Sequence, residues 1–303
     1  MFAAMLGAVS QGILWGIMVL GVFITYKLLD IADLTVDGSF ALGGCVCAVL
    51  MVNHNVNPWL AIIAGSAAGI IAGAVTGILH TFFEIPAILA GILTQISLWS
   101  INLRVMDKSN TPLLQTHTVF TDIANATGLD QRTITIIVGL VFALACIGLL
   151  YWFFGTELGS ALRATGSNED MSRALGINTN MAKMIALMVS NGLVGLSGAL
   201  ICQSQKYADI GMGTGAIIIG LAAIVIGEVL GRLTPGKLAS FWSKLVAAVV
   251  GSVVYFLIRA IVLQLGMDAN DMKLLSALIV TIALSVPVIL ERNRIRRSYQ
   301  KGA

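Results

Sequence analysis

About nine apolar stretches follow one another through this chain, each near the ~20 residues that a helix needs to cross a hydrocarbon layer. They run over residues 4–27, 36–53, 58–80, 86–104, 133–154, 184–205, 213–230, 245–265 and 273–290. Inside lipid every backbone N–H and C=O must find a partner within the protein, and an isolated run of this length does so as a helix. The pattern predicts an all-α integral membrane protein, a polytopic bundle of about nine spans within a range of about eight to ten. Composition removes the alternatives. The 303 residues are 57% apolar and 11% charged, with a mean hydropathy of +0.92, whereas soluble domains carry roughly a quarter charged residues. The opening stretch lacks a basic leader and a small-residue cleavage site, so it reads as a retained span and not a signal peptide.

Lys and Arg concentrate in two places. Arg232, Lys237 and Lys244 lie in the loop 231–244, and Arg292, Arg294, Arg296, Arg297 and Lys301 face only Glu291 in the tail 291–303. Short loops rich in Lys and Arg stay on the cytoplasmic side. The expected topology therefore has a cytoplasmic C-terminus, an outside N-terminus, and outside segments at 105–132 and at 266–272, where Asp268 and Asp271 sit. Glu228, four residues before Arg232, is placed to pair with it on one helix. No linker or low-complexity segment divides the chain, so residues 1–303 read as one transmembrane domain. Cys45, Cys47, Cys146 and Cys202 all fall in apolar runs and read as packed thiols. Neither a disulfide nor a metal site is expected, and His54, His80 and His117 are too scattered to form a catalytic set.

Gly65, Gly69, Gly73 and Gly77 recur every four residues and line one face of the third span. Small residues on one face let another helix approach closely, either within the chain or from a partner subunit. Between the first two spans, YKLLDIADLTVDGSF places Asp30, Asp33 and Asp37 in an apolar setting. Asp33 and Thr35, followed by Gly38 and Ser39, read either as broken backbone beside protein or a wet cavity, or as a cytoplasmic turn capped by Asp. Farther on, Gln95, Trp99 and Asn102 share a face of the fourth span, and Asn191 shares one of the sixth with Gly195, Gly198 and Cys202. Arg259 stands inside the eighth span. Buried polar groups in spans are candidate pathway residues, with the plainer alternatives of interhelical hydrogen bonding for the amides and snorkelling for Arg259.

The stretch ELGSALRATGSNEDMSRALGINTNMAK, residues 157–183, is unlike the rest of the chain. Within the loop 155–183, Ser167 or Asn168 offers an N-cap, Glu169 and Asp170 fill a first helical turn, and Arg173 lies near the end. Gly176 then stops the run. A helix of about two turns does not hold itself in water. Met171, Ala174 and Leu175, with Leu158, Ala161 and Leu162 before them, offer a small surface on which a partner can dock.

This stretch resembles the cytoplasmic loop of bacterial ABC importer permeases of the branched-chain amino acid and ribose type, whose pattern is close to LGxxxRAxGxNxxAAxxxGI. Gly159, Arg163, Ala164, Gly166, Asn168, Ala174, Gly176 and Ile177 match it, while Met171 and Ser172 replace common alanines. DLTVDGSFALGG (33–44) resembles the family's second-span motif, with Asp37 as an additional acid, and GIIAGAVTGIL (69–79) resembles its Gly-rich third span. AIVIGEVLGRLTPGKLASFWSKLVAAVVG (223–251) matches a small-residue stretch more loosely, so the likeness spans roughly residues 10 to 290. It implies a coupling helix seated in an ATP-binding subunit, with Glu157, Gly159, Arg163, Ala164, Gly166, Asn168, Ala174 and Gly176 at the coupling site. It also implies two ATPase subunits, a second permease copy and an extracytoplasmic substrate-binding lipoprotein, all at a bacterial cytoplasmic membrane. This chain would bind lipid but no nucleic acid. It contains no GxxxxGK[ST] phosphate loop, so ATP and Mg belong to the partner ATPase and the chain is not itself an enzyme. The DLTVDGSF variant resembles a subgroup serving tryptophan or tyrosine importers; branched-chain amino acids, sugars and nucleosides are the other readings. A rival of another class is an ion-coupled secondary transporter, which would place a coupling-ion site on discontinuous helices.

Overall fold

The structure, a computed structural model, describes residues 2–114, 116–233, 240–267, 271, 274, 276–282 and 285. Its first half runs α1 (Phe2–Phe23), a π-helical turn (Ile24–Leu28), α2 (Thr35–Asn53), α3 (Pro58–Thr81), α4 (Ala87–Met106), β1 (Asn110–Pro112) and α5 (Val119–Thr127). It continues with α6 (Gln131–Gly155), α7 (Glu157–Ser167), α8 (Glu169–Ala174), α9 (Thr179–Gln205), β2 (Tyr207–Asp209), α10 (Ala216–Leu233) and α11 (Phe241–Gln264). Seven helices among the described residues are long and apolar enough to cross a membrane, namely α1 with its π turn, α2, α3, α4, α6, α9 and α11. They coincide, within a few residues at each end, with seven of the nine expected spans.

The other two expected spans fare differently. Half of 273–290 lies outside the described residues, as do Lys237, Asp268 and the basic tail, and its described positions, 274, 276–282 and 285, are helical. The span expected over 213–230 is a shorter apolar helix, Ala216–Gly231. Its beginning is held back by Gly213 and Gly215, the latter at φ +83°, a left-handed conformation that only Gly adopts at little cost. A Cβ on Gly213 would collide with the Asp37 carbonyl. A further departure from the all-helical expectation is the short antiparallel pair β1–β2, in register Asn110↔Asp209, Thr111↔Ala208 and Pro112↔Tyr207.

Contacts between elements far apart in sequence define two ends of the bundle. At one end β1 pairs with β2, the Val119 amide donates to Gln203 Oε1 at 3.0 Å, and Gln203 Nε2 donates to the Pro58 carbonyl at 2.9 Å. At the other end α7 packs on the π turn of α1, and Lys27 pairs with Glu228 at 2.7 Å. Glu228 thus takes Lys27 from another helix as a partner; the side chain of Arg232, with which a local pairing was expected, lies outside the described residues.

Helices α1, α2 and α9 are buried over most of their length and form the centre, whereas α3, α4, α6 and α11 are buried over less than half. The glycine face of α3 explains its approach to that centre. A Cβ on Gly69 would strike the Asn191 carbonyl and one on Gly73 the Leu187 carbonyl, both on α9, while one on Gly65 would lie 2.7 Å from the Gly43 carbonyl of α2 and one on Gly77 2.9 Å from Met184 Cγ. The spacing therefore serves packing inside the chain. Ser190, Ser197 and Ser252 donate to the carbonyls of Gly21, Leu14 and Gly12, each at 2.8 Å, tying α9 and α11 to α1. Such interhelical bonds satisfy hydroxyls that lipid would leave unpaired. All four Cys are unpaired and buried.

Candidate functional site

The polar residues singled out in the sequence fall into three groups and not one continuous lining. The first surrounds the break between α1 and α2. Residues 29–34 are irregular, Asp30 sits at φ +55°, and Leu29, Ile31 and Asp33 are buried. The Asp33 side chain is 2% exposed. Its Oδ1 accepts from the Thr35 amide at 2.9 Å and its Oδ2 from Asn191 Nδ2 at 2.7 Å. The backbone is broken inside the bundle, and Asp33 binds the first amide of α2. The Thr35 hydroxyl shares a hydrogen bond with Thr76 at 2.7 Å. Asn191 donates also to the Leu187 carbonyl at 3.0 Å, and its Oδ1 has no partner among the described residues.

The second group is organised by Asp37, which was not among the expected pathway residues. Its two carboxylate oxygens accept from the amides of Gly215 at 2.8 Å and Ile217 at 3.0 Å, at the start of α10. A carboxylate is favourable there because the unpaired amides and the helix dipole both present positive charge. Asp37, Gly38, Gln95, Trp99, Asn102, Ile210 and Thr214 enclose a small cavity of about 30 Å³, room for a water molecule. Asn102 Nδ2 reaches the Gly38 carbonyl at 3.5 Å, and its buried Oδ1 has no partner among the described residues. Gln95, Trp99 and Asn102 are thus brought together as their spacing predicted. The readable signal for the Asp37 clasp was Gly211-x-Gly213-x-Gly215, a glycine pattern incompatible with a continuous helix.

Arg259 belongs to neither group. It lines a separate cavity of about 560 Å³ at the β1–β2 end, together with Gln11, Trp15, Phe40, Gln205 and Phe256. Its guanidinium carbon lies 5.9 Å from the Phe256 ring centre. Trp15 packs on Phe40 and Phe256 at 4.6 and 5.5 Å between ring centres. The short α10 contributes its beginning, through Ile219, to the wall of this space.

At the opposite end, residues 157–174 form two helices where one was expected. Thr156 caps α7, its hydroxyl accepting from the Gly159 amide at 3.3 Å, and Asn168 caps α8, accepting from the Met171 amide at 2.9 Å. Gly159 permits the tight turn from α6, since a Cβ there would strike Phe153 and Phe154. Gly166 meets the chain end of α1, where a Cβ would collide with the Leu28 carbonyl. Gly176, at φ +85°, ends α8 as its position predicted, with its amide donating to the Arg173 carbonyl at 3.0 Å. Leu162 turns inward, while Leu158, Met171 and Leu175 are exposed, so the expected apolar docking surface is narrower than its sequence outline. Glu157, Arg163 and Ala174 lie on the same hairpin, Glu157, Arg163 and Ala174 exposed and Ala164 half-buried. Lys183 binds Glu169 at 2.7 Å and Arg173 donates to the Thr179 hydroxyl at 3.2 Å, which hold α8 to the start of α9, while Arg173 also pairs with Glu169 within α8 at 3.0 Å.

A bundle of apolar helices, with broken backbone at the buried Asp33 and a capped helical hairpin at one end, defines a multi-pass membrane protein. The family model described as branched-chain amino acid transport system, permease component, matches residues 4–284, and the chain belongs to that family. It is therefore the permease subunit of an ABC importer, which works with ATPase and substrate-binding partners and is not itself the catalytic component. The chain is 37% identical over 283 residues to the tyrosine transport system permease protein of Clostridioides difficile (strain R20291), covering 93% of this chain and 91% of the other. It is 27% identical over 256 residues to the ribose import permease protein of Escherichia coli (strain K12), covering 84% and 76%. Similarity to the autoinducer 2 import system permease protein of Salmonella paratyphi A (strain ATCC 9150 / SARB42) is 29% over 192 residues, covering 61% and 52%. No solved structure matches the chain.

Proposed function

We propose that the chain lines the route of an amino acid across a bacterial cytoplasmic membrane, with the aromatic class, tyrosine or tryptophan, favoured. The observation that carries this reading is the 37% identity to a tyrosine transport permease, sustained over 93% of the chain. Branched-chain amino acids, sugars and nucleosides are the remaining solutes, the sugars supported by the ribose permease relative. The whole chain acts as one permease domain, paired with a second copy and fed by an extracytoplasmic binding protein. Two ATPase subunits, which hold ATP and Mg, seat on α7 and α8 at the cytoplasmic end, so that the N-terminus lies outside. Asp33, Thr35, Gln95, Trp99, Asn102, Asn191 and Arg259 contact the solute or the water along its route.

The coupling role rests on a mechanical connection. Backbone contact at Gly166 leaves no space between α7 and the end of α1, so a push on the hairpin displaces α1 and the break at 29–34. ATPase closure shifts the bundle only as far as its contacts differ between the two packings. Met171 and Leu175 are the exposed apolar residues of the hairpin tip, 56% and 69% accessible. In the assembled complex, Met171→Asp with Leu175→Asp is expected to abolish solute-stimulated ATP hydrolysis while insertion stays normal; undiminished stimulation would overturn the coupling role. Uptake of tyrosine, tryptophan, leucine and ribose by the same complex in liposomes identifies the solute, and preference for ribose would overturn the amino acid reading.

A further inference from the structure

A second cavity, of about 650 Å³, opens at the α7 end of the bundle between α1, α7, α10 and α11. Its back wall is apolar, formed by Phe23, Leu28, Ile224, Phe241, Ala247 and Ala248. Its mouth carries three cations, Lys27, Arg163 and Lys244, against one carboxylate, Glu228. Glu228 is already engaged by Lys27 at 2.7 Å. Arg163 and Lys244 have no carboxylate within ion-pair reach among the described residues. Arg163 lies with its guanidinium carbon 5.9 Å from the Phe241 ring centre, which orients it along the wall of the cavity.

Two unneutralised cations above an apolar recess are complementary to a molecule with an anionic head and a hydrocarbon body. We infer that this cavity binds an anionic phospholipid, its phosphate between Arg163 and Lys244 and its acyl chain along Phe23, Ile224 and Phe241. Basic pockets between membrane helices on the cytoplasmic side take such headgroups, and each Lys or Arg near the surface adds to the attraction. The planar guanidinium of Arg163 suits two phosphate oxygens at once, and Lys244 adds a point charge. A soluble protein partner fits this site less well, because two of the walls, α1 and α11, are membrane-spanning helices and the apolar tip of the hairpin, Met171 and Leu175, belongs to another element, α8. Since Arg163 stands on α7, the lipid would brace the hairpin against α10 and α11.

The test is lipid competition on the full chain purified in detergent, with retained phosphatidylglycerol and phosphatidylcholine counted by native mass spectrometry. Wild type is expected to retain phosphatidylglycerol preferentially. Arg163→Gln with Lys244→Gln should cut that preference on the order of 25-fold, the weight of two surface cations toward anionic lipid. Arg163→Lys with Lys244→Arg, which keeps both charges, should preserve most of it and so separates charge from misfolding. Lys108→Gln, at an exposed position at the other end, should leave it unchanged. Equal retention of the two lipids by wild type would overturn the inference. So would displacement of phosphatidylglycerol by inorganic phosphate at matched concentration, which would assign the cations to a soluble anion, or by the purified ATPase subunit, which would assign them to a protein interface.

Discussion

At the residue scale, the glycines of α3 show how far a one-dimensional pattern reaches. Their interval of four residues was sufficient to predict a close helix approach, because it places all four on one face. Which helix would occupy that face was not readable, since Asn191 and Leu187 are more than a hundred positions away in the chain. The consequence is measurable. Gly69→Ala drives a Cβ into the Asn191 carbonyl, and overpacking of this kind costs about 1–3 kcal/mol. Gly148→Ala, on α6, meets no atom within 4 Å and exchanges a poor helix former for a good one, a gain of up to about 1 kcal/mol. Thermal unfolding in detergent should therefore fall for the first variant and hold or rise for the second. Equal effects would mean that α3 and α9 do not approach as closely as described. The same limit on legibility applies to Asp33, whose polarity was evident but whose partner Asn191 lies 158 residues on.

At the scale of elements, the hairpin α7–α8 was half legible. The cap at Asn168 and the stop at Gly176 were local signals and both hold. Helix α7 went unread because Gly159 and Gly166 lower helix propensity, and the reason for keeping them is tertiary, the close passage of Phe153, Phe154 and Leu28. What fastens α8 is electrostatic. The Lys183 hydrogen bond is the main cause holding the Glu169 carboxyl below its usual range, opposed by partial burial and helped by the charge of Lys183, by Thr179 and by Arg173. A carboxyl with a depressed folded value contributes stability that is complete above its unfolded value, about 4.3. That contribution is lost as the pH falls through the lower folded value. The pairs are partly solvated, so the effect is below about 1 kcal/mol. A spin label on Met171→Cys should report equal α8 mobility at about pH 7 and about pH 5.5, rising only below about pH 4. Glu169→Gln should give the mobile spectrum already at neutral pH. A label equally mobile in both proteins at every pH would show that these ion pairs do not hold α8.

At the scale of the whole molecule, hydropathy located seven spans well because burial in lipid imposes one simple rule on every residue of a spanning helix. Over 213–230 it set the start about three residues before α10 begins at Ala216, because composition there is as apolar as in any span, whereas the start of the helix is decided by three glycines and by the Asp37 carboxylate across the bundle. It was also blind to the pairing of β1 with β2, which gathers segments from either side of α9 at one end. The position of that end relative to the membrane is the premise on which the coupling proposal depends, and the cysteines make it testable. Cys45, Cys47, Cys146 and Cys202 are buried, so an introduced thiol is read against a low background. Leu129, 49% accessible beside α5, marks the β1–β2 end, and Met171, 56% accessible on α8, marks the hairpin end. On intact cells a membrane-impermeant maleimide should label Leu129→Cys, and should label Met171→Cys only after the membrane is opened. Lys244 lies at the hairpin end, beside Arg163 and Lys27, and would then be inside, in keeping with its charge. The reverse labelling pattern would put α7 and α8 outside the cell, beyond the reach of any cytoplasmic ATPase, and the hairpin would need a different partner.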